Sequence, residues 1–283
     1  MHYRRRALIA AAMVAATTSA MTVGAAPGLA DGMNRNTPSR TQDTLDGGPQ
    51  FSVNATYTTD YRYRGFTQTR EKSALQGGVD ATWRYFYVGV WATSVDFGRE
   101  QDTLGRWHNA ADVEVVSYAG VKHKLLGGEV DLRAIYYAYP GAFGVASNIA
   151  PFRINDLDYF EVMLGFSREI MPSLSLESKV YYSPDYQGGT GRNWVFESGL
   201  SKKLGTFGMV SPSFSAMLGS SYGEESKGGI DYYYWNAGMS FLFKDYFEFD
   251  IRYYDTFDVP NAVVGSCRDR CDGRVVARIT FEN

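Results

Sequence analysis

The chain has 283 residues, with 28 Lys and Arg against 31 Asp and Glu. That balance leaves no basic surplus for a nucleic-acid partner. After the N-terminal run, no segment carries the ~18 consecutive apolar residues of a transmembrane helix. Aromatic residues make up 15% of the chain, with 21 Tyr and 30 Gly, a composition that favours strands and turns.

In chain order, the first element is a secretory signal. Arg4, Arg5 and Arg6 precede the small, apolar run ALIAAAMVAATTSAMTVGAA, and Gly28-Leu29-Ala30 supplies a cleavage site before Asp31. The alternative is a membrane anchor, but the run is rich in Ala and Thr rather than Leu and Ile. Removing residues 1–30 takes away three arginines and no acids, so 25 basic residues face 31 acidic ones, a net charge of −6. Residues 31–50 (DGMNRNTPSRTQDTLDGGPQ) are polar and read as a flexible lead-in. Residues 51–283 show no linker and read as one domain.

Within that domain, charges keep one parity in segment after segment, as they do on strands with a wet face and an apolar face. Segment 51–64 sets Asn54, Thr56, Thr58, Asp60, Arg62 and Arg64 against Val53, Ala55, Tyr57, Tyr61 and Tyr63. Segment 74–84 sets Asp80 and Arg84 against Val79 and Trp83; 86–96 is apolar on both faces until Asp96. Segment 110–124 sets Asp112, Glu114, Lys122 and Lys124 against Val113, Val115 and Val121. Segment 128–139 sets Glu129, Asp131 and Arg133 against Leu132 and Tyr136. The pattern continues with Glu161 against Phe160 and Val162, Glu177 and Lys179 against Leu176 and Val180, and Glu197 against Trp194 and Phe196. Segments 209–220 and 230–242 are less clean. The last two oppose Glu248, Asp250 and Arg252 to Phe249 and Ile251, and Arg274 and Arg278 to Val275 and Ile279.

These are about twelve strands of the length found in outer-membrane barrels, which have even strand numbers. Short links (85, 125–127, 171–172, 205–208, 243–244) alternate with long ones (65–73, 97–109, 140–157, 184–191, 221–229, 256–273). Short periplasmic turns with long outer loops are the outer-membrane pattern. A backbone in lipid must satisfy all its polar groups, so the sheet must close on itself. The expected fold is therefore all-β, a closed antiparallel transmembrane β-barrel. A secreted β-sandwich shares the parity but gives no reason for the alternation of links. Tyr61, Tyr63, Trp83, Tyr136, Tyr182, Trp194 and Tyr253 suit the interfacial aromatic girdles.

The stretch TTDYRYRGFTQTREKSALQGGVD resembles the N-terminal signature of the TorF family of porins. Further similarities are FYVGVWATSVDFG at 86–98, IYYAYPG at 135–141, DYFEVMLG at 158–165, YYSPDYQG at 181–188 and the late pair Cys267 and Cys271 before Asp272. The resemblance spans residues 51–283 and implies an outer-membrane barrel with porin architecture, without naming a substrate. The end departs from the usual barrel pattern, because Phe281 is followed by Glu282 and Asn283.

Chemistry is sparse. His108 lies in a long link and His123 on the lipid parity; neither sits in a His-x-Ser-Asn-Gly-like motif of the outer-membrane lipases. No clustered metal ligands and no phosphate loop appear. The chain thus reads as a non-enzyme without cofactor or metal. Cys267 and Cys271 (CRDRC) are expected to close a small disulfide in the last outer loop, contributing about 2 kcal/mol. A soft-metal site would need further ligands.

The expected pore lining is Asp60, Arg62, Arg64, Asp80, Arg84, Asp112, Glu114, Glu129, Asp131, Arg133, Glu161, Glu177, Lys179, Glu197, Glu248, Asp250, Arg252, Arg274 and Arg278. A weakly basic wall on the first two and last two strands would face a weakly acidic one. The reading is a porin in the bacterial outer membrane, passing small hydrophilic solutes by passive diffusion. Its partners would be outer-membrane lipid, lipopolysaccharide and the assembly machinery. The alternatives are a plugged barrel acting structurally or through surface loops, and an outer-membrane lipid-modifying enzyme.

Overall fold

The structure is a computed structural model that describes residues 48–101, 104–142, 157–260 and 270–283. The expected signal, most of the lead-in and Cys267 lie outside the described residues. Twelve strands form one closed antiparallel barrel. They are β1 (Gln50–Thr58), β4 (Ala74–Trp83), β5 (Phe86–Ser94), β8 (Val113–Leu125), β9 (Gly128–Ala138) and β10 (Tyr159–Met171), then β11 (Leu174–Ser183), β12 (Asn193–Lys203), β13 (Val210–Gly223), β14 (Tyr232–Phe243), β15 (Phe247–Phe257) and β16 (Arg274–Glu282). Each pairs with its sequence neighbour in this set, and β1 pairs with β16 from Asn54↔Glu282 to Thr58↔Arg278 to close the sheet. Two small hairpins stand in the long links: β2 (Arg62–Tyr63) with β3 (Phe66–Thr67), and β6 (Arg99–Gln101) with β7 (Trp107–Asn109).

The parity rule explains why these residues form this wall. On β1, Phe51, Val53, Ala55 and Tyr57 are exposed while Ser52, Asn54, Thr56 and Thr58 are buried. The same alternation runs through β12, where Trp194, Phe196 and Leu200 point out and Glu197 and Ser201 point in. Outward apolar side chains meet hydrocarbon, and polar ones face the lumen. Segment 86–96, apolar on both faces in sequence, is resolved by size: Val88 and Val90 face out, and Tyr87 and Trp91 face in.

Short turns and long links alternate around the barrel. The short turns use left-handed residues, at Leu126 and Gly127 (φ 57° and 72°) and at Lys244 and Asp245 (φ 48° and 63°). Positive φ at both central residues matches the right-handed twist of a tight hairpin. An outer aromatic belt joins Tyr182, Trp194, Phe196, Tyr222, Tyr233 and Phe257, neighbouring centroids lying 4.6–6.5 Å apart.

The largest departure from the sequence reading is at strand 1. It ends at Thr58, not residue 64, so Asp60, Arg62 and Arg64 are not on the barrel wall. The Asp60 carboxylate accepts from the Thr67 and Thr69 hydroxyls at 2.6 and 2.8 Å and from Arg62 Nε at 2.6 Å, which turns the chain back on itself. Arg64 at φ 49° and Gly65 at φ 86° then make the tip of the β2–β3 hairpin. Two further boundaries move: Asp112 lies just before β8, and Arg84 lies in the β4–β5 turn.

Inside the wall, Tyr87 pairs with Gly120 and Tyr118 with Gly89 across β5 and β8, so each ring lies over the glycine opposite. A Cβ at Gly120 would press on the Tyr87 hydroxyl and sit 2.7 Å from the Leu132 carbonyl. Gly120→Val is expected to lower stability by about 1–3 kcal/mol, the range for overpacking. Urea unfolding followed by tryptophan fluorescence checks it; an unchanged midpoint contradicts the packing.

Candidate functional site: a lumen crossed by its first loop

The segment between β1 and β4 folds into the barrel rather than away from it. Asp60, Tyr61, Arg62 and Arg64 are all buried. The segment is held from several sides at once. Tyr61 donates to Glu114 on β8 at 3.1 Å and packs edge-on against Trp91 of β5. Phe66 meets Tyr232 of β14 at 5.1 Å between centroids. Arg62 donates to the carbonyls of Gly65, Arg270 and Asp272 at 3.1, 3.3 and 3.1 Å, with Glu71 at 3.5 Å.

The tip reaches the far wall. Arg64 Nη1 and Nη2 each donate to a different oxygen of Glu161 on β10, both at 2.8 Å. Arg64 is 2% exposed and Glu161 1%. Three rings surround the guanidinium, with Cζ 4.7 Å from the Tyr63 centroid, 4.9 Å from Tyr181 and 5.7 Å from Tyr186. Tyr137 donates to Glu161 at 3.1 Å and stacks on Tyr159 at 4.2 Å. Tyr186 lies in the 184–192 link, where burial raises the pKa of its hydroxyl and keeps it neutral. A charge this deep is tolerated because its partner is bidentate and aromatic rings surround it.

Tyr61 and Tyr63, expected in the lipid-side girdle, therefore belong to the interior. Trp83, Tyr136, Trp194 and Tyr253 do face outward. Tyr137, Tyr159, Tyr181 and Tyr186 were absent from the expected lining. For Tyr137 and Tyr181 the signal was the doubled tyrosines: in Tyr136-Tyr137 and Tyr181-Tyr182, one ring of each pair meets the interface and the other the lumen.

Below the loop, most of the expected lining residues face inward and pair. Arg133 binds Asp131 at 3.0 Å and Tyr87 Oη at 2.6 Å. Lys179 binds Glu177 at 2.8 Å, and Lys122 lies 3.7 Å from Glu129. Asp250 accepts from Arg252 at 3.0 Å, Arg278 at 3.1 Å and Ser240 at 2.8 Å. Glu248 is half-buried on the same parity, and Arg274 pairs with Glu71 at the long-loop end. Three carboxylates are held by tyrosines instead: Asp80 by Tyr118 at 2.5 Å, Glu114 by Tyr61 and Tyr139 at 3.1 and 2.7 Å, and Glu197 by Tyr234 at 2.7 Å.

Arg84 and Asp112 do not reach the lumen. Arg84 is exposed over the Trp83 ring at 4.8 Å, and Asp112 is exposed and accepts from Asn109. His123 points outward, edge-on to Tyr85 at 5.0 Å. Cys271 is buried, and its expected partner Cys267 lies outside the described residues. Among the described residues, no group of three or more His, Cys, Asp or Glu is arranged to hold a metal ion.

Solved structures of similar fold are outer-membrane barrels. The KdgM porin aligns over 82% of this chain and 97% of its own, with 7% identity and a TM-score of 0.50. The NanC porin aligns over 82% and 98%, with 10% identity and a TM-score of 0.46. CdiB from Escherichia coli aligns over 82% of this chain at 11% identity and a TM-score of 0.46; the chain spans 63% of CdiB's length. These likenesses concern the fold. No curated protein matches the sequence. The family model for a bacterial protein of unknown function (Gcw_chp) matches residues 42–281, and the chain belongs to that family.

Proposed function

We propose that the protein is a porin of the bacterial outer membrane, of the TorF type, passing small hydrophilic solutes through a lumen narrowed at its long-loop mouth by the 59–73 segment. The observation that carries this reading is the inner wall of β1, β12, β14 and β16. Asn54 Oδ1, Ser201 Oγ, Asn236 Nδ2 and Arg278 Nε are buried there without a hydrogen-bond partner among the described residues. Sealed from bulk water, such groups would be expensive in a dry core; water entering the barrel supplies the partners they lack. The N-terminal signal fits export, and the outward apolar band fits lipid and lipopolysaccharide as surroundings, with the assembly machinery inserting the barrel. The KdgM porin has been solved with a disordered oligogalacturonate.

Among the inward residues of β4 and β8–β12, seven carboxylates (Asp80, Glu114, Glu129, Asp131, Glu161, Glu177, Glu197) face three cations (Lys122, Arg133, Lys179). Arg64 offsets one more. Charged walls set the sign of the permeating ion, so this pore favours cations over anions.

A second reading, a closed barrel with a structural or loop-binding role, is favoured by the depth at which Asp60–Arg64 is buried. Conductance in planar bilayers separates the two. Replacing residues 60–71 with a short Gly-Ser link is expected to raise single-channel conductance at least about twofold. Channel events absent from both proteins would refute the porin reading. In a salt gradient the reversal potential is expected on the cation side, and Asp80→Asn with Glu197→Gln is expected to move it toward zero. A pore that already prefers anions contradicts the charge placement.

A further inference from the structure

The wall around Arg64 and the arginine itself belong to parts of the chain held very differently. Glu161 and Tyr159 stand on β10, Tyr137 on β9 and Tyr181 on β11, each fixed by two neighbouring strands. Tyr186 is locked edge-on against Tyr159 at 4.8 Å. Arg64 sits at the tip of a hairpin outside the barrel sheet, which has two register pairs of its own, Arg62↔Thr67 and Tyr63↔Phe66, and is otherwise anchored by the side chains of Tyr61, Arg62 and Phe66. Arg64 itself is in the left-handed region that a non-glycine residue adopts unwillingly.

We propose that Glu161 with Tyr137, Tyr159, Tyr181 and Tyr186 is a binding site for small solutes bearing a guanidinium group, and that Arg64 is its tethered occupant. The geometry selects guanidinium over ammonium. Both Glu161 oxygens are engaged by two parallel N–H groups at the same 2.8 Å, which a planar fork satisfies and a point charge does not. The guanidinium carbon lies over the rings of Tyr181 and Tyr186, as an organic cation does in an aromatic cage. If the hairpin withdraws, Glu161 is left as a carboxylate in a tyrosine-lined recess, with Tyr137 its one remaining donor among the described residues, so a diffusing guanidinium takes the vacated place. Solute and Arg64 then compete for one site. The consequence for permeation, that the solute releases the loop, rests on the channel reading above; the binding does not.

The test uses the full-length barrel carrying Arg64→Ala, its folding verified by heat-modifiable migration in gels. Arg64→Gln substitutes if the alanine variant does not fold. Calorimetric titration with L-arginine is expected to show binding to the variant at least about tenfold tighter than to the wild type, whose site is filled. L-citrulline, equal in shape but uncharged, is expected not to bind. Adding Glu161→Gln is expected to abolish L-arginine binding. In bilayers, Arg64→Ala is expected to conduct more than the wild type, and L-arginine to return its conductance toward the wild-type value. L-arginine binding no tighter than L-citrulline, or binding that survives Glu161→Gln, overturns the proposal. Binding as expected in a barrel that never conducts supports the site and sinks the channel reading alone.

Discussion

The pairing of β1 with β16 closes a sheet that would otherwise end in two open edges. In hydrocarbon an unpaired backbone N–H or C=O has no water to turn to, so closure is the condition for everything else. Once the sheet is closed, every strand has one lipid face and one enclosed face. The outward residues are then chosen by hydrocarbon and the inward ones by whatever fills a twelve-strand bore. A bore of that size lies between barrels that side chains fill and barrels that stay open. This chain settles the matter unevenly. At the long-loop end a buried cluster around Tyr61, Trp91, Val116, Tyr137 and Met163 packs like a small core. Along β12–β16 the inner face mixes Ser, Thr, Asn and buried arginines with a smaller apolar cluster of Val195, Met217, Tyr232 and Tyr234.

The barrel was legible because its rule is local. Hydrocarbon outside and polarity inside impose a period of two that any strand shows on its own. The alternation of long and short links was legible for the same reason, since each tight turn is specified by a few residues. The 58–69 stretch misled because it obeyed the same period without being a barrel strand. Asp60, Arg62 and Arg64 alternate with Tyr61 and Tyr63, yet all but Tyr63 are buried, and even Tyr63 bonds inward to Tyr137. Alternation reports two faces, not which surroundings each face meets. The local warning was Arg64-Gly65, a dipeptide able to take positive φ at both positions and so end a strand. That Arg64 pairs with Glu161, 97 residues away, could not be read from either residue alone.

Arg84 and Asp112 show a smaller version of this limit. Each keeps the parity of its neighbours, and each falls just beyond the end of a strand, where parity no longer dictates direction. One or two residues at a strand end decide whether a charge enters the lumen or stays in solvent.

The abundance of tyrosine acquires a physical reason inside the barrel. A narrow lumen with surplus carboxylates needs hydrogen-bond donors that bring no charge of their own and also fill space. Tyrosine supplies both, with a ring that packs and a hydroxyl that donates. Among the described residues no Lys or Arg forms an ion pair with Asp80, Glu114 or Glu197; tyrosines hold all three. Pairing each with an arginine would neutralise the wall and add bulk. Holding them with tyrosines keeps the carboxylates in place and the wall negative. Two carboxylates have both a tyrosine donor and a cation: Asp131, with Tyr87 and Arg133 of the wall, and Glu161. The cation of Glu161 comes from a loop rather than from the wall, so the barrel by itself treats Glu161 as it treats Asp80, Glu114 and Glu197.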